Sequence, residues 1–221
     1  MVAITLIQLI PLFSHLPADL LEAFASASNL KRFARAKVIL QGNEAAQFLY
    51  VILSGRVKVF MQNEDGKEVV LAQLHRHHFF GEMGLIDNLS PSATVETLEP
   101  TELLLIPKSL FNQCLATNRE FSAAMIGALI ARLREADRKI ESLALLGVYG
   151  RVARHLLDLS VEANGELEVS KPPSKQEMAR HIGASREMVS RVMNHLKESG
   201  TVRLDGRKII LAKRPWPEDL K

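Results

Sequence analysis

Residues 174–211 admit few folds. Ser174-Lys175-Gln176-Glu177 has the form of a capping box, in which the serine oxygen accepts from the backbone N–H three residues on and the glutamate reaches back. A helix is therefore expected to start there. Met178, Ala179 and Ile182 give it an inner face, Gly183 supplies a turn, and Ser185 is placed to cap a second helix. In that second helix Val189, Val192, Met193 and Leu196 follow the i, i+3, i+4, i+7 pattern of an apolar face. The opposite face collects Arg186, Glu187, Ser190, Arg191 and Asn194, beginning in the first turn. Two short β-type runs, Thr201–Leu204 and Lys208–Leu211, flank Asp205-Gly206, a hairpin signal.

Helix, turn, helix and hairpin together make a winged helix-turn-helix, whose second helix offers side chains to base edges in the major groove. Arg186 and Arg191 can each donate a bidentate pair to guanine, and Glu187 can accept from cytosine N4. Ser185 and Ser190 share that surface, and the wing adds the cations Arg203, Arg207 and Lys208. The bland alternative is an exposed helix with ordinary salt links from Glu187 to Arg186 or Arg191. Charge favours the nucleic-acid reading. Of the 28 Lys+Arg and 25 Asp+Glu in the chain, 14 and 10 lie in residues 148–221, leaving 14 and 15 in residues 1–147, so the positive excess is C-terminal.

Upstream, from about Leu30 to Ile106, short β-type runs alternate with Gly and Asn/Asp turns: Lys37–Leu40, Phe48–Leu53, Arg56–Met61, Glu68–Gln73, Ala93–Thr97 and Thr101–Ile106. They imply a small antiparallel β-domain, with Asn63-Glu64-Asp65-Gly66 as a hairpin turn. Between Ser109 and about Leu146 the period changes. Ile126, Leu129, Leu133, Ala136, Ile140 and Leu143 recur at alternating steps of three and four, which is a heptad seam. So narrow a seam suits a second copy of the same helix, and a parallel homodimer is expected; a helix lying on the β-domain is the alternative. A further amphipathic helix near Arg151–Ser160 and a polar loop at Glu162–Gly165 lead into the C-terminal module.

At this point the chain resembles the Crp/Fnr family of bacterial transcription regulators over nearly its whole length. The segment Ile182-Gly183-Ala184-Ser185-Arg186-Glu187-Met188-Val189-Ser190-Arg191-Val192 is similar to the recognition motif of the cyclic AMP receptor branch. That resemblance implies a palindromic TGTGA-like operator on double-stranded DNA, a homodimer through the long helix, and RNA polymerase as a partner if the protein activates. Phe79-Phe80-Gly81-Glu82-Met83-Gly84-Leu85 resembles the family's phosphate-binding cassette, in which the Glu holds a ribose hydroxyl. The resemblance places Gly81, Glu82, Met83, Gly84, Ser92, Ala93 and Thr94 in an effector pocket, with Ala136 and Asp137 where the cyclic AMP branch offers hydroxyls to adenine. It implies a nucleotide-type effector. The cassette normally ends in Arg-Ser-Ala-Thr-Val, with the arginine neutralising the phosphate, and this chain reads Pro91-Ser92-Ala93-Thr94-Val95. Proline offers neither charge nor donor, a loss of about 1.5–3 kcal/mol or more for a bound phosphate, so cyclic AMP is not the expected effector.

The expected architecture is α+β in three parts: a cyclic-nucleotide-binding-type β-roll with an N-terminal helical cap (1–108), a dimerisation helix (109–147) and a winged helix-turn-helix (148–221). The apolar stretch Val2–Phe13 lacks a basic flank and is far shorter than the roughly 20 residues of a membrane span, so it reads as the cap, packed through Leu6, Ile10, Leu12, Leu16 and Leu21. No other stretch reaches membrane length. With the single cysteine, Cys114, this points to the cytoplasm. Cys114 reads as a small buried apolar residue rather than a redox sensor, and Met83 as packing. His75, His77 and His78 are expected to be a solvated turn, although the family includes haem sensors. Arg132 can pair with Glu82 or remain a solvated helix charge. No catalytic signature and no metal-ligand set occurs in context, so no enzyme is expected. A regulatory subunit acting on a protein partner would share the β-roll but would have no use for residues 174–211.

Overall fold

The computed structural model describes residues 3–42, 46–64, 66, 68–163 and 165–212. These form two compact units, Met1–Leu133 and Arg134–Lys221. Asp65 of the expected hairpin turn lies outside the described residues.

The first unit begins with α1 (Ile4–Gln8), a 3-10 turn (Pro11–Phe13) and α2 (Ala18–Ala27). Ile10, Leu12, Leu16 and Leu21 are buried as expected and Leu6 packs at the edge of the same core, which Ile7, Phe13 and Phe24 also fill. Eight strands follow: β1 (Asn29–Phe33), β2 (Val38–Leu40), β3 (Phe48–Ser54), β4 (Val57–Gln62), β5 (Glu68–Leu74), β6 (Phe79–Phe80), then, after the short helix α3 (Glu82–Ile86), β7 (Thr94–Thr97) and β8 (Thr101–Pro107). They pair antiparallel in two sheets ordered β1-β8-β3-β6 and β2-β7-β4-β5. All six expected runs are strands, and β1 and β6 are additional.

Segment 109–147, which reads in the sequence as one dimerisation element, holds two helices, α4 (Lys108–Thr117) and α5 (Arg119–Leu145). Asn118 separates them: its backbone is extended, and its side-chain oxygen accepts from Phe121 N–H at 2.8 Å. Helix α4 buries Leu110, Phe111 and Cys114, and α5 adds Phe121 and Met125 to that core. There Phe121 stacks on Phe13 with centroids 5.8 Å apart.

The second unit takes the distal part of α5, then α6 (Val148–Leu159), β9 (Val161–Ala163), β10 (Glu166–Val169), α7 (Lys175–Ile182), α8 (Arg186–Glu198), β11 (Val202–Asp205) and β12 (Lys208–Leu211). Of the expected polar loop at Glu162–Gly165, Glu162 and Ala163 belong to β9, which pairs antiparallel with β10, and Asn164 lies outside the described residues. Strand β10 pairs with β9 on one side and with wing strand β12 on the other, giving a sheet ordered β11-β12-β10-β9. Its inner side packs Val169, Val202, Ile209 and Leu211 against Val152 and Leu156 of α6, Met178 and Ile182 of α7, and Val189, Met193 and Leu196 of α8.

Helix α5 leaves much of its heptad stripe uncovered. Ile126, Leu133 and Ile140 are 56%, 62% and 64% exposed, and Ile130, outside the heptad, joins them at 47%. Ala136 is exposed. Two members of the stripe have duties within the chain: Leu129 packs on the core of the first unit, and a Leu143 methyl lies 3.3 Å from where a Cβ on Gly183 would stand. Among the described residues no helix is long and apolar enough to cross a membrane.

Candidate nucleic-acid interface and effector cassette

The capping box closes at both ends. Ser174 Oγ accepts from Glu177 N–H at 3.2 Å, and Glu177 accepts from Ser174 N–H at 2.7 Å, which satisfies two amides that a helix start leaves without partners. Helix α7 ends at Gly183, whose φ of 65° and ψ of 46° are left-handed, a conformation glycine adopts without steric cost. Two residues later Ser185 caps α8, accepting from Met188 N–H at 3.2 Å.

Helix α8 turns Val189, Met193 and Leu196 inward and leaves Arg186, Glu187, Arg191 and Asn194 exposed. Neither arginine makes a hydrogen bond or ion pair among the described residues, so the salt links of the bland alternative do not form. The Glu187 carboxyl is held below the usual carboxylate range, first by the backbone N–H at the helix start, then by the Ser185 hydroxyl and the neighbouring Arg186 and Arg191 charges. It is therefore ready to accept a hydrogen bond. Ser190 is half-buried, and Lys175 Nζ reaches over from α7 and donates to its hydroxyl at 2.8 Å. Lys175, which the sequence hides inside the capping box, thus joins this surface.

The wing differs from expectation. Arg203 donates to both carboxylate oxygens of Glu166, at 3.1 and 3.0 Å, and Lys208 to both of Glu168, at 3.1 Å each. Both cations are thus matched by carboxylates of β10, a strand that the sequence does not announce. Arg207, at the turn between the wing strands, is exposed and makes no ion pair among the described residues.

In the first unit, Gly81 has a φ of 89°, and a Cβ there would stand 3.0 Å from Phe48 O and 3.2 Å from the Tyr50 ring, so only glycine fits. The next residue, Glu82, has a side chain 5% exposed and receives Arg132 Nη1 on Oε1 at 2.7 Å. Arg132 also donates to the Phe79 carbonyl and places its guanidinium 4.5 Å from the Phe79 ring centroid. The paired alternative for Arg132 is the one the structure contains. Burial holds the Glu82 carboxyl above its usual range, opposed by the Arg132 charge. Its second oxygen, Oε2, is buried and has no hydrogen-bond partner among the described residues.

Met83, expected to pack, is 53% exposed, and its sulfur receives the Ser92 hydroxyl at 3.7 Å, which joins the cassette to the Pro91–Thr94 segment. Gly84 is packed too tightly for a side chain, since a Cβ would come within 2.9 Å of Leu89 O. Ala93 and Thr94 are half-buried at the start of β7. Ala136 and Asp137 are exposed and belong to the second unit.

The remaining signals are quieter. Cys114 is fully buried, which pushes its thiol up to about 11 and keeps it protonated and unreactive. His75, His77 and His78 sit in a turn with the His75 and His78 rings 3.8 Å apart. Among the described residues no group of three or more His, Cys, Asp or Glu could hold a metal ion.

Two family profiles match the two units: the cyclic nucleotide-binding domain over residues 30–118 and the Crp-like helix-turn-helix domain over residues 150–215. The chain is 30% identical over 188 residues to the cAMP-activated global transcriptional regulator Vfr of Pseudomonas aeruginosa, covering 82% of this chain and 88% of that one. It is 29% identical over 195 residues to the cAMP-activated global transcriptional regulator CRP of Pasteurella multocida, covering 86% and 93%. Among solved structures it resembles the c-di-GMP responsive global regulator CLP of Xanthomonas campestris, with a TM-score of 0.75, 29% identity and 90% and 100% of the two chains covered. These relatives are transcription regulators that bind DNA and act as dimers, not enzymes. A cyclic nucleotide-binding fold followed by a capped, glycine-turned helix pair and a wing, over nearly the full length of such relatives, places the chain in the Crp/Fnr family of DNA-binding transcription regulators.

Proposed function

We propose that the chain is a cytoplasmic homodimer that reads a palindromic TGTGA-like operator through α8, under control of an effector other than cyclic AMP bound at the Gly81–Gly84 cassette. The division of labour follows the sequence reading, with residues 1–108 as sensor, 109–147 as dimerisation element and 148–221 as DNA reader, and RNA polymerase is the further partner if the protein activates. The observation that carries the proposal is the surface of α8: two arginines without partners and an ionised glutamate on one face of a helix capped at its start. Ser185 and Ser190 complete that surface. Dimerisation is supported by the uncovered stripe Ile126, Ile130, Leu133 and Ile140, since an apolar stripe on one helix is stabilised by a second copy of itself. Ala136 and Asp137 would lie along it, and Leu129 and Leu143 at its margin.

Arg191→Ala tests the α8 assignment. A bidentate contact to guanine is worth about 1–3 kcal/mol, and a palindrome presents it twice, so the preference for specific over scrambled duplex is expected to fall sharply while the dimer stays folded. Fluorescence anisotropy with both duplexes reads this. An unchanged preference ratio would remove Arg191 from base reading. The wing separates differently. Arg207→Ala is expected to weaken every sequence alike and to lower the salt slope by about one, as a phosphate contact does. Arg203 and Lys208, bound to Glu166 and Glu168, should contribute less.

A further inference from the structure

Resting on the reading of α8 as the helix that meets base edges, we infer that Lys175 of α7 is a positioning residue for it. Its ammonium fixes the Ser190 hydroxyl as a donor, so that one base pair of each half-site is selected for an acceptor edge, thymine O4 or guanine O6 and N7, against the cytosine amino group.

A serine by itself makes no such choice. A hydroxyl has one hydrogen and two lone pairs and turns to suit its partner, so in the major groove it can accept from cytosine N4 as well as donate to thymine or guanine. Ser190 is not left to itself. It stands one turn on from Arg186 and next to Arg191, and Lys175 Nζ donates to its oxygen at 2.8 Å. Among the described residues this is the only hydrogen bond its side chain makes. In particular, its hydrogen is not turned back on the carbonyl of Arg186, the acceptor four residues earlier that a serine within a helix often takes.

The consequence is a hydroxyl with a fixed sense. A cation on one lone pair turns the hydroxyl hydrogen away from the ammonium, and its charge opposes the approach of a second donor such as an amino group. What Ser190 has left to offer is its hydrogen. The geometry is held by more than two side chains: Lys175 is the first residue of α7, directly after the doubly bonded cap at Ser174, and Met178 and Ile182 of α7 share a core with Val189 of α8. The two helices therefore bring residues fifteen apart in sequence together in a defined way. A lysine that met only phosphate would position the protein and carry no base preference.

Selection of bound sequences from a pool of random duplexes tests this, with the full chain and with no nucleotide, cyclic AMP or cyclic di-GMP added. Ser190→Ala is expected to flatten one position of each half-site, lowering its preference ratio by about three- to tenfold, the effect of one neutral hydrogen bond. Lys175→Met keeps the length and helix propensity of the side chain but has no donor, and Lys175 is exposed, so the fold should stand. This variant should flatten the same position to the same extent, and the double variant should be no flatter than either. Lys175→Arg, which keeps a cationic donor, is expected to retain the preference. Weaker binding of every sequence by Lys175→Met with an unchanged profile would make Lys175 a phosphate contact and overturn the inference. An unchanged profile in Ser190→Ala, or equal flattening by methionine and arginine at position 175, would overturn it as well. Failure of the underlying reading looks different: the unaltered protein would then recover no sequence preference under any of the three conditions, and the inference would fall with it.

Discussion

Replacing Leu133 by aspartate is expected to convert the protein to monomers and to remove operator binding with the dimer. Leu133 stands in the middle of the uncovered stripe of α5 and is 62% exposed in the single chain, so most of its surface is free of packing within the protomer. In a parallel pair of helices the two aspartates would face each other in an apolar seam. Desolvation of each charge costs several kcal/mol and like-charge repulsion adds to it, which raises the dissociation constant by at least about a hundredfold. Sedimentation velocity reads the dimer, and the melting temperature of the variant serves as the control for folding. A dimer of unchanged strength would mean that α5 does not form the interface.

The second large effect is acid loss of the DNA-binding unit. His155 on α6 and His181 on α7 stack with ring centroids 4.3 Å apart. Burial pushes His155 down to about 4 and His181 down to about 3, aided by the Lys139 charge from α5 and, for His181, by His155 itself. In the unfolded chain both histidines titrate near 6.5, so below that pH the unfolded state binds protons that the folded state refuses. The stabilising contribution is complete above pH 6.5 and is lost as pH falls towards 4 and then 3, by about 2 kcal/mol per histidine at pH 5. The charged groups nearby do not change this sign. Glu135 lies beside Lys139, and Arg138 and Arg154 lie beside Asp158, whose carboxyl is raised by burial and so favours the fold only at lower pH. Thermal melts between pH 5 and 8 are expected to show a falling melting temperature below 6.5, flattened in a His155→Gln, His181→Asn variant. An equally steep fall in that variant would assign the acid sensitivity to other groups.

The elements that the sequence reveals are those specified locally. The α7–α8 pair is legible because Ser174, Glu177, Gly183 and Ser185 act on backbone groups within three or four residues of themselves. The strands β9 and β10 are not legible: Glu162–Gly165 reads as a polar loop, residues 166–169 carry no strand signal, and β10 is held by pairing with β12 some forty residues on and by the ion pairs to Arg203 and Lys208. For the same reason the wing cations look free in the sequence and are matched in the structure. Strand β1 fails the alternation test because Lys31 and Arg32 lie on an exposed strand whose one neighbour is β8. On α5 the heptad is visible, but its division is not. Leu129 faces the core of the first unit while Leu133 faces solvent, and spacing alone cannot tell them apart. In the cassette, the absence of arginine at Pro91 is legible, whereas the free oxygen of Glu82 requires knowing what Arg132, fifty residues away, does with its two amino groups.

The central claim, that a dimer of this chain reads DNA through α8, is tested most directly by selecting bound sequences from a pool of random duplexes with the full-length protein, with each candidate effector present in turn. The account predicts enrichment of an inverted repeat with TGTGA-like halves whose centres lie about one helical turn apart, as two recognition helices related by a two-fold axis require. Enrichment of a single, unrepeated half, or a recovered pool no different from the starting one, would contradict it.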